Sequence, residues 1–96
     1  MKWVKTSNGA CLKDEEDEVA SIVFIEELSM WRITLKVRNE TFICQIHELT
    51  DSPLLSYAIR KATEWINYTC DYMSSAYQIV KSGLPKMEEI EWEDLR

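Results

Sequence analysis

Alternation of apolar and polar side chains, strict over residues 30–38 and present again over 41–48, constrains the fold of this chain most. Every second residue from Trp31 to Val37 is apolar, and the residues between and after them are Arg32, Thr34, Lys36 and Arg38. The alternation resumes over 41–48, where the apolar side consists of Phe42, Cys44 and Ile46. Because successive side chains of a strand point to opposite faces, the pattern predicts two strands, each with one buried face.

A tight turn at Asn39-Glu40 would join these two strands into an antiparallel hairpin. This turn sets Val37 opposite Phe42, so that Leu35 faces Cys44 and Ile33 faces Ile46. All of these pairs are apolar and share one face, as a hairpin with one buried side requires.

The residues before this hairpin predict further strands of the same sheet. Residues 20–27 form a strand whose Ile22 and Phe24 point to the core. Residues 2–5 are a candidate fourth strand, and Asn8-Gly9 is a good turn into residues 10–13. We therefore expect an antiparallel meander of three to four strands over residues 1–49.

The apolar period changes to three and four residues after Ser52. Ser52 suits a helix N-cap, Pro53 suits the first helical position, and Gly83 suits a helix stop. We predict one long C-terminal amphipathic helix over 52–82, packed on one face of the sheet, followed by an acidic strap over 84–96. The fold class expected is a single α+β domain.

The length of this helix creates a mismatch with the sheet. Residues 53–82 would span about 45 Å as one helix, whereas a compact domain of this size is roughly 32 Å across. Either the helix breaks, with residues 67–70 the weakest helix formers, or its overhang packs on the strap, a second copy or another partner. A second ridge lies on its flank and consists of Leu54, Trp65, Tyr68, Tyr72 and Ile79.

Aromatic residues on this ridge are candidate partner-binding residues. Trp and Tyr are enriched in the central contacts of protein interfaces, which singles out Trp65, Tyr68 and Tyr72. The alternative interpretation is that these three side chains cover the sheet edge or the strap.

The charge of the chain is concentrated in two acidic runs. The net charge is −6, from 17 Asp and Glu against 11 Lys and Arg. Ten of the acids form the two runs, which are Asp14, Glu15, Glu16, Asp17 and Glu18, and then Glu88, Glu89, Glu91, Glu93 and Asp94. We expect the first run to be a flexible, solvated loop, since like charges repel. Both runs are either solubilising segments or a docking surface for a basic partner.

Motifs for catalysis, cofactors and metals are missing from the sequence. His47 is the only histidine, and it lies on the opposite face of its strand from Cys44, so the two cannot form a nucleophile–base pair or two ligands of one zinc ion. The spacing of Cys11, Cys44 and Cys70 suits neither a metal site nor a disulfide framework. We therefore expect no cofactor, no enzyme activity, and a reducing, cytoplasmic location.

These observations favour a small, non-enzymatic acidic protein that occupies a basic surface of a larger protein partner. An inhibitor that covers a nucleic-acid-binding surface fits this description, and in size and charge alone the chain is similar to phage anti-defence proteins such as anti-CRISPR proteins. One alternative is a nucleic-acid-binding accessory protein that uses the basic sheet face of Arg32, Lys36 and Arg38. Another is an assembly module that forms a homodimer through the long helix. No membrane association is expected.

Overall fold

The sheet is a complete antiparallel meander. The computed structural model of the chain describes residues 1–37, 39–47, 55–72 and 75–95, with the backbone alone at residues 47, 75 and 76. Five strands lie in the order of the chain, each beside its sequence neighbour. They are β1 (Lys2–Thr6), β2 (Gly9–Asp14), β3 (Asp17–Ile25), β4 (Met30–Val37) and β5 (Glu40–His47). The α+β class is confirmed, but the sheet has five strands rather than three to four.

The β4–β5 hairpin has a different register from the one predicted. Val37 pairs with Glu40, so Leu35 faces Phe42 and Ile33 faces Cys44. The predicted turn at residues 39–40 was therefore wrong, because Glu40 belongs to β5. A shift by two residues leaves every side chain on its original face, so the alternation pattern could not reveal the error. Glu40 is the first residue of β5, and its carboxylate accepts a hydrogen bond of 2.6 Å from the Tyr77 hydroxyl.

The first acidic run forms a tight hairpin turn. Asp14 pairs with Asp17 across the β2–β3 hairpin, so Glu15 and Glu16 are the two turn residues. Glu15 has a positive φ of 57°. The prediction of a flexible loop was wrong, because strand pairing continues up to both ends of the turn.

A β-bulge next to this turn changes the direction of one side chain. Leu12 pairs with Ala20 but Lys13 pairs with Glu18, so Val19 is an extra residue in β3. Without the bulge, Glu18 would share the core face of buried Ala20. With it, Glu18 turns to the outer face of the sheet and forms an ion pair of 3.7 Å with Lys36.

The helical region consists of two helices, α1 (Leu55–Asp71) and α2 (Ser75–Gly83). The side-chain amide of Gln78 donates to the Cys70 carbonyl at 2.9 Å, although eight residues along a straight helix would separate them by about 12 Å. Lys81 also pairs with Asp71, so α2 folds back on the end of α1. The prediction of one long helix was therefore wrong, and the molecule is only 39 Å along its longest axis.

The helix does not break where its intrinsic propensity is weakest. The stretch 67–70 is helical, and Thr69 and Cys70 within it are buried. Tertiary packing therefore outweighs the weak helix propensity of these residues. The predicted start of the helix at residues 52–54 lies outside the described residues.

The core lies between one face of the sheet and the two helices, so the prediction that the helical region packs on one face of the sheet is confirmed. On the sheet side, Ile22, Ile33 and Leu35 have no solvent exposure. The residues that meet them from α1 are Ala58, Ile59, Ala62 and Ile66. For the described residues, the predicted apolar faces of β3, β4 and α1 are thus confirmed.

The C-terminal strap closes the core beside β1. It contains two short 3₁₀ turns, Met87–Glu89 and Trp92–Leu95. Leu95 is buried in the same cluster as Trp3 of β1. The acidic residues of the strap are therefore attached to the sheet through an apolar anchor.

Candidate functional site

The two acidic runs meet at one end of the sheet. Lys2 pairs with Lys13, one residue before the β2–β3 turn, so β1 begins where that hairpin turns. The strap packs at the same place, because Met1, Lys2 and Trp3 share a cleft of about 330 Å³ with strap residues. The carboxylates that line this cleft are Glu89, Glu91 and Asp94. We call residues 14–18 and 88–94 together the acidic end.

Helix α2 crosses this same end of the sheet. Tyr77 near its start bonds to Glu40, the first residue of β5. Gly83 at its last position lies against the side chain of Met1, just before β1. The helix therefore supports the acidic end from the β5 side to the β1 side.

Every carboxylate of the two acidic runs is exposed to solvent. None of them lies in a buried, water-excluding pocket of the kind that acid–base catalysis uses. Their exposure suits a different task, which is electrostatic contact with a large, positively charged partner.

The predicted aromatic ridge separates into two parts. Tyr68 and Tyr72 are 62% and 72% exposed, and their ring centroids lie 4.9 Å apart. Trp65, in contrast, packs against the core cluster. Ile79 on α2 is 71% exposed, while Leu54 lies outside the described residues. The pair of exposed tyrosines is therefore a candidate contact surface, whereas Trp65 contributes to the fold.

The outer face of the sheet carries two of the three predicted cations together with two more. Arg32 and Lys36 are exposed there, and Arg38 lies outside the described residues. Strand pairing adds Lys2 and Lys13, which sequence reasoning missed because their position depends on the registers of β1 and β2. Glu18 lies between Lys13 and Lys36 on this face and reduces its positive charge.

The three cysteines are poor nucleophiles in this fold. Cys11 and Cys70 are buried and Cys44 is half-buried. Burial raises the pKa of all three thiols, and the nearby Glu18 carboxylate raises the pKa of Cys11 further. A raised pKa keeps a thiol protonated near neutral pH, and the thiol is far less reactive than the thiolate.

The described parts of the chain contain neither a metal-binding cluster nor a helix that could cross a membrane. No group of three or more His, Cys, Asp or Glu side chains among these residues is arranged to hold a metal ion. No helix in the same parts has the length and apolar character needed to cross a membrane.

Comparison with the models of known protein families, with curated proteins and with solved structures finds no match. The surfaces of this chain are therefore the basis for any functional conclusion.

Proposed function

We propose that this chain is a non-enzymatic binding protein whose acidic end occupies a basic surface of a larger protein partner. An inhibitor that covers a nucleic-acid-binding surface is the form of this function that best suits the charge. The convergence of two separate acidic runs at one end of the sheet supports the proposal. A cluster of exposed carboxylates at one end of a sheet attracts a cationic surface and orients it during encounter.

The conformation of the first acidic run adds a second argument. Glu15 occupies a positive φ, which a glycine adopts at lower cost. Asp14 and Asp17 face each other across the hairpin, where like charges are destabilising. Carboxylates at these positions reduce stability, so a role in binding gives a physical reason for their presence.

Direct nucleic-acid binding by the outer sheet face is the weaker alternative. Phosphate contacts dominate such binding and need uncompensated cations. Glu18 instead sits beside Lys13 and Lys36 on that face, and the net charge of the chain is −6.

Three double variants test the proposal with matched chemistry. Each replaces an adjacent pair of exposed glutamates by glutamines, at Glu15-Glu16 in the hairpin turn, at Glu88-Glu89 in the strap, or at Glu26-Glu27. The last pair lies in the 3₁₀ turn Glu26–Leu28, where β3 ends, far from the acidic end. All three variants remove the same charge, so the third is the control for net charge alone.

The probes are a fluorescent arginine-rich peptide and a fluorescent DNA duplex, each mixed with the protein at several salt concentrations in a stopped-flow instrument. We expect the protein to bind the peptide and to displace the DNA duplex from the peptide. The rate at which the protein associates with the peptide should fall as salt screens the charges. The variants at Glu15-Glu16 and Glu88-Glu89 should slow association, while the Glu26-Glu27 variant should have a clearly smaller effect.

Equal effects of all three variants would mean that only net charge matters, and the acidic end would not be the site. Tight binding of the DNA duplex itself, lost on Arg32→Glu with Lys36→Glu, would favour the nucleic-acid alternative.

A further inference from the structure

The two edge strands of the sheet, β1 and β5, differ in what packs beside them. β1 lies at one edge, and the C-terminal strap packs beside it, with Leu95 buried near Trp3. β5 is the last strand at the other edge, so within the described part of the chain the backbone N–H and C=O groups on its outer side have no strand partner. Such an edge is a template for pairing with another strand.

The apolar core also continues to the β5 edge, where its side chains are only partly covered. Phe42 and Cys44 are only half-buried, whereas their pairing partners in β4, Leu35 and Ile33, have no solvent exposure. On the outer face, Ile43 is 61% exposed. A strand added beside β5 would therefore bury apolar side chains on both faces as well as satisfy backbone groups.

Apart from the charge of Glu40 at its first position, β5 lacks the usual features of the strand itself that prevent edge pairing. Protective edge strands are short, charged, proline-containing or bulged. β5 has eight residues, and its pairing with β4 continues without a bulge from Glu40 to His47. The stretch between those two residues, TFICQI, has neither a charge nor a proline.

A second copy of this chain is the occupant that these features suit best. An antiparallel strand pair has two-fold symmetry, so one edge strand is complementary to an identical strand. The uncharged stretch 41–46 lets two copies meet without opposed like charges, although each copy carries a net charge of −6. Registers that keep the core faces together would join Phe42 and Cys44 of both copies on one side.

We propose that two copies of this chain pair antiparallel through β5 and form a continuous ten-stranded sheet. This interface is separate from the acidic end and independent of the proposed function. A single strand pair buries less than the standard interface of about 1,600 Å². We therefore expect a reversible dimer with a dissociation constant on the order of micromolar rather than an obligate one.

Sedimentation equilibrium over a wide concentration range tests this dimer, with Ile43→Lys as the disrupting variant. Val4→Lys is the matched control, because Val4 lies on the same outer face of the other edge strand and is also exposed. Both variants change the net charge equally. We expect Ile43→Lys to raise the dissociation constant at least about tenfold, since it places like charges together at the interface, while Val4→Lys leaves it almost unchanged.

Gln45→Lys, on the same exposed face of β5, provides a second disrupting variant if Ile43→Lys does not fold by circular dichroism. Tyr68→Ala with Tyr72→Ala tests the competing interface on α1. A protein that stays monomeric at all concentrations would overturn the proposal. So would a dimer that the lysines in β5 leave intact, or one that only the tyrosine variant dissociates.

Discussion

The hairpin turn of the first acidic run gives a prediction in which backbone strain can be separated from charge. Glu15 and Glu16 are adjacent, exposed and chemically identical, but only Glu15 has a positive φ. Glu15→Gly should remove the strain of that conformation, whereas Glu16→Gly should not. Both changes remove one negative charge beside Asp14 and Asp17, and both add the backbone entropy of a glycine to the unfolded chain.

The difference in the free energy of unfolding between the two variants therefore measures the strain itself. The left-handed conformation costs an ordinary residue about 1–2 kcal/mol. The Glu15→Gly protein should be more stable than the Glu16→Gly protein by about that amount. For a domain of this size, each kcal/mol corresponds to about 4–8 °C in melting temperature.

Urea unfolding followed by circular dichroism measures both free energies of unfolding under identical conditions. A repeat in high salt provides the internal control, because salt screens charge repulsion but leaves backbone strain unchanged. Equal stabilities of the two variants would refute the reasoning. A difference that vanishes in high salt would also refute it, since the effect would then be electrostatic.

The remaining predictions concern the Tyr77–Glu40 hydrogen bond and the three thiols. Tyr77→Phe should lower the free energy of unfolding by about 1–2 kcal/mol, because Glu40 loses a partly buried hydrogen bond of 2.6 Å; a variant as stable as the parent in urea would contradict this. Burial raises the pKa of all three thiols, so a thiol reagent should label the folded protein more slowly than the urea-unfolded chain. Labelling should begin at half-buried Cys44, and first labelling at Cys70 would contradict the burial assignment. The free energy of unfolding should fall as alkaline pH rises through the ordinary thiol pKa, because the unfolded chain loses those protons first.

The sequence by itself determined which side of each central element is buried. Side-chain direction follows from local backbone geometry, so the alternation from Trp31 to Val37 predicted the core face of β4 correctly. The concentration of acids in two runs is likewise a property of the sequence alone.

Tertiary structure decided the features that depend on distant contacts. The period of two allowed both registers of the β4–β5 hairpin, and Val37 pairs with Glu40 in the folded chain. Burial of Cys70 keeps α1 helical through its weakest stretch, and the contacts of Gln78 and Lys81 then fold α2 back. The acidic runs meet at one end only because β1 pairs with β2 and Leu95 anchors the strap beside it. No local pattern encodes that meeting, since its energy comes from packing between residues at opposite ends of the chain.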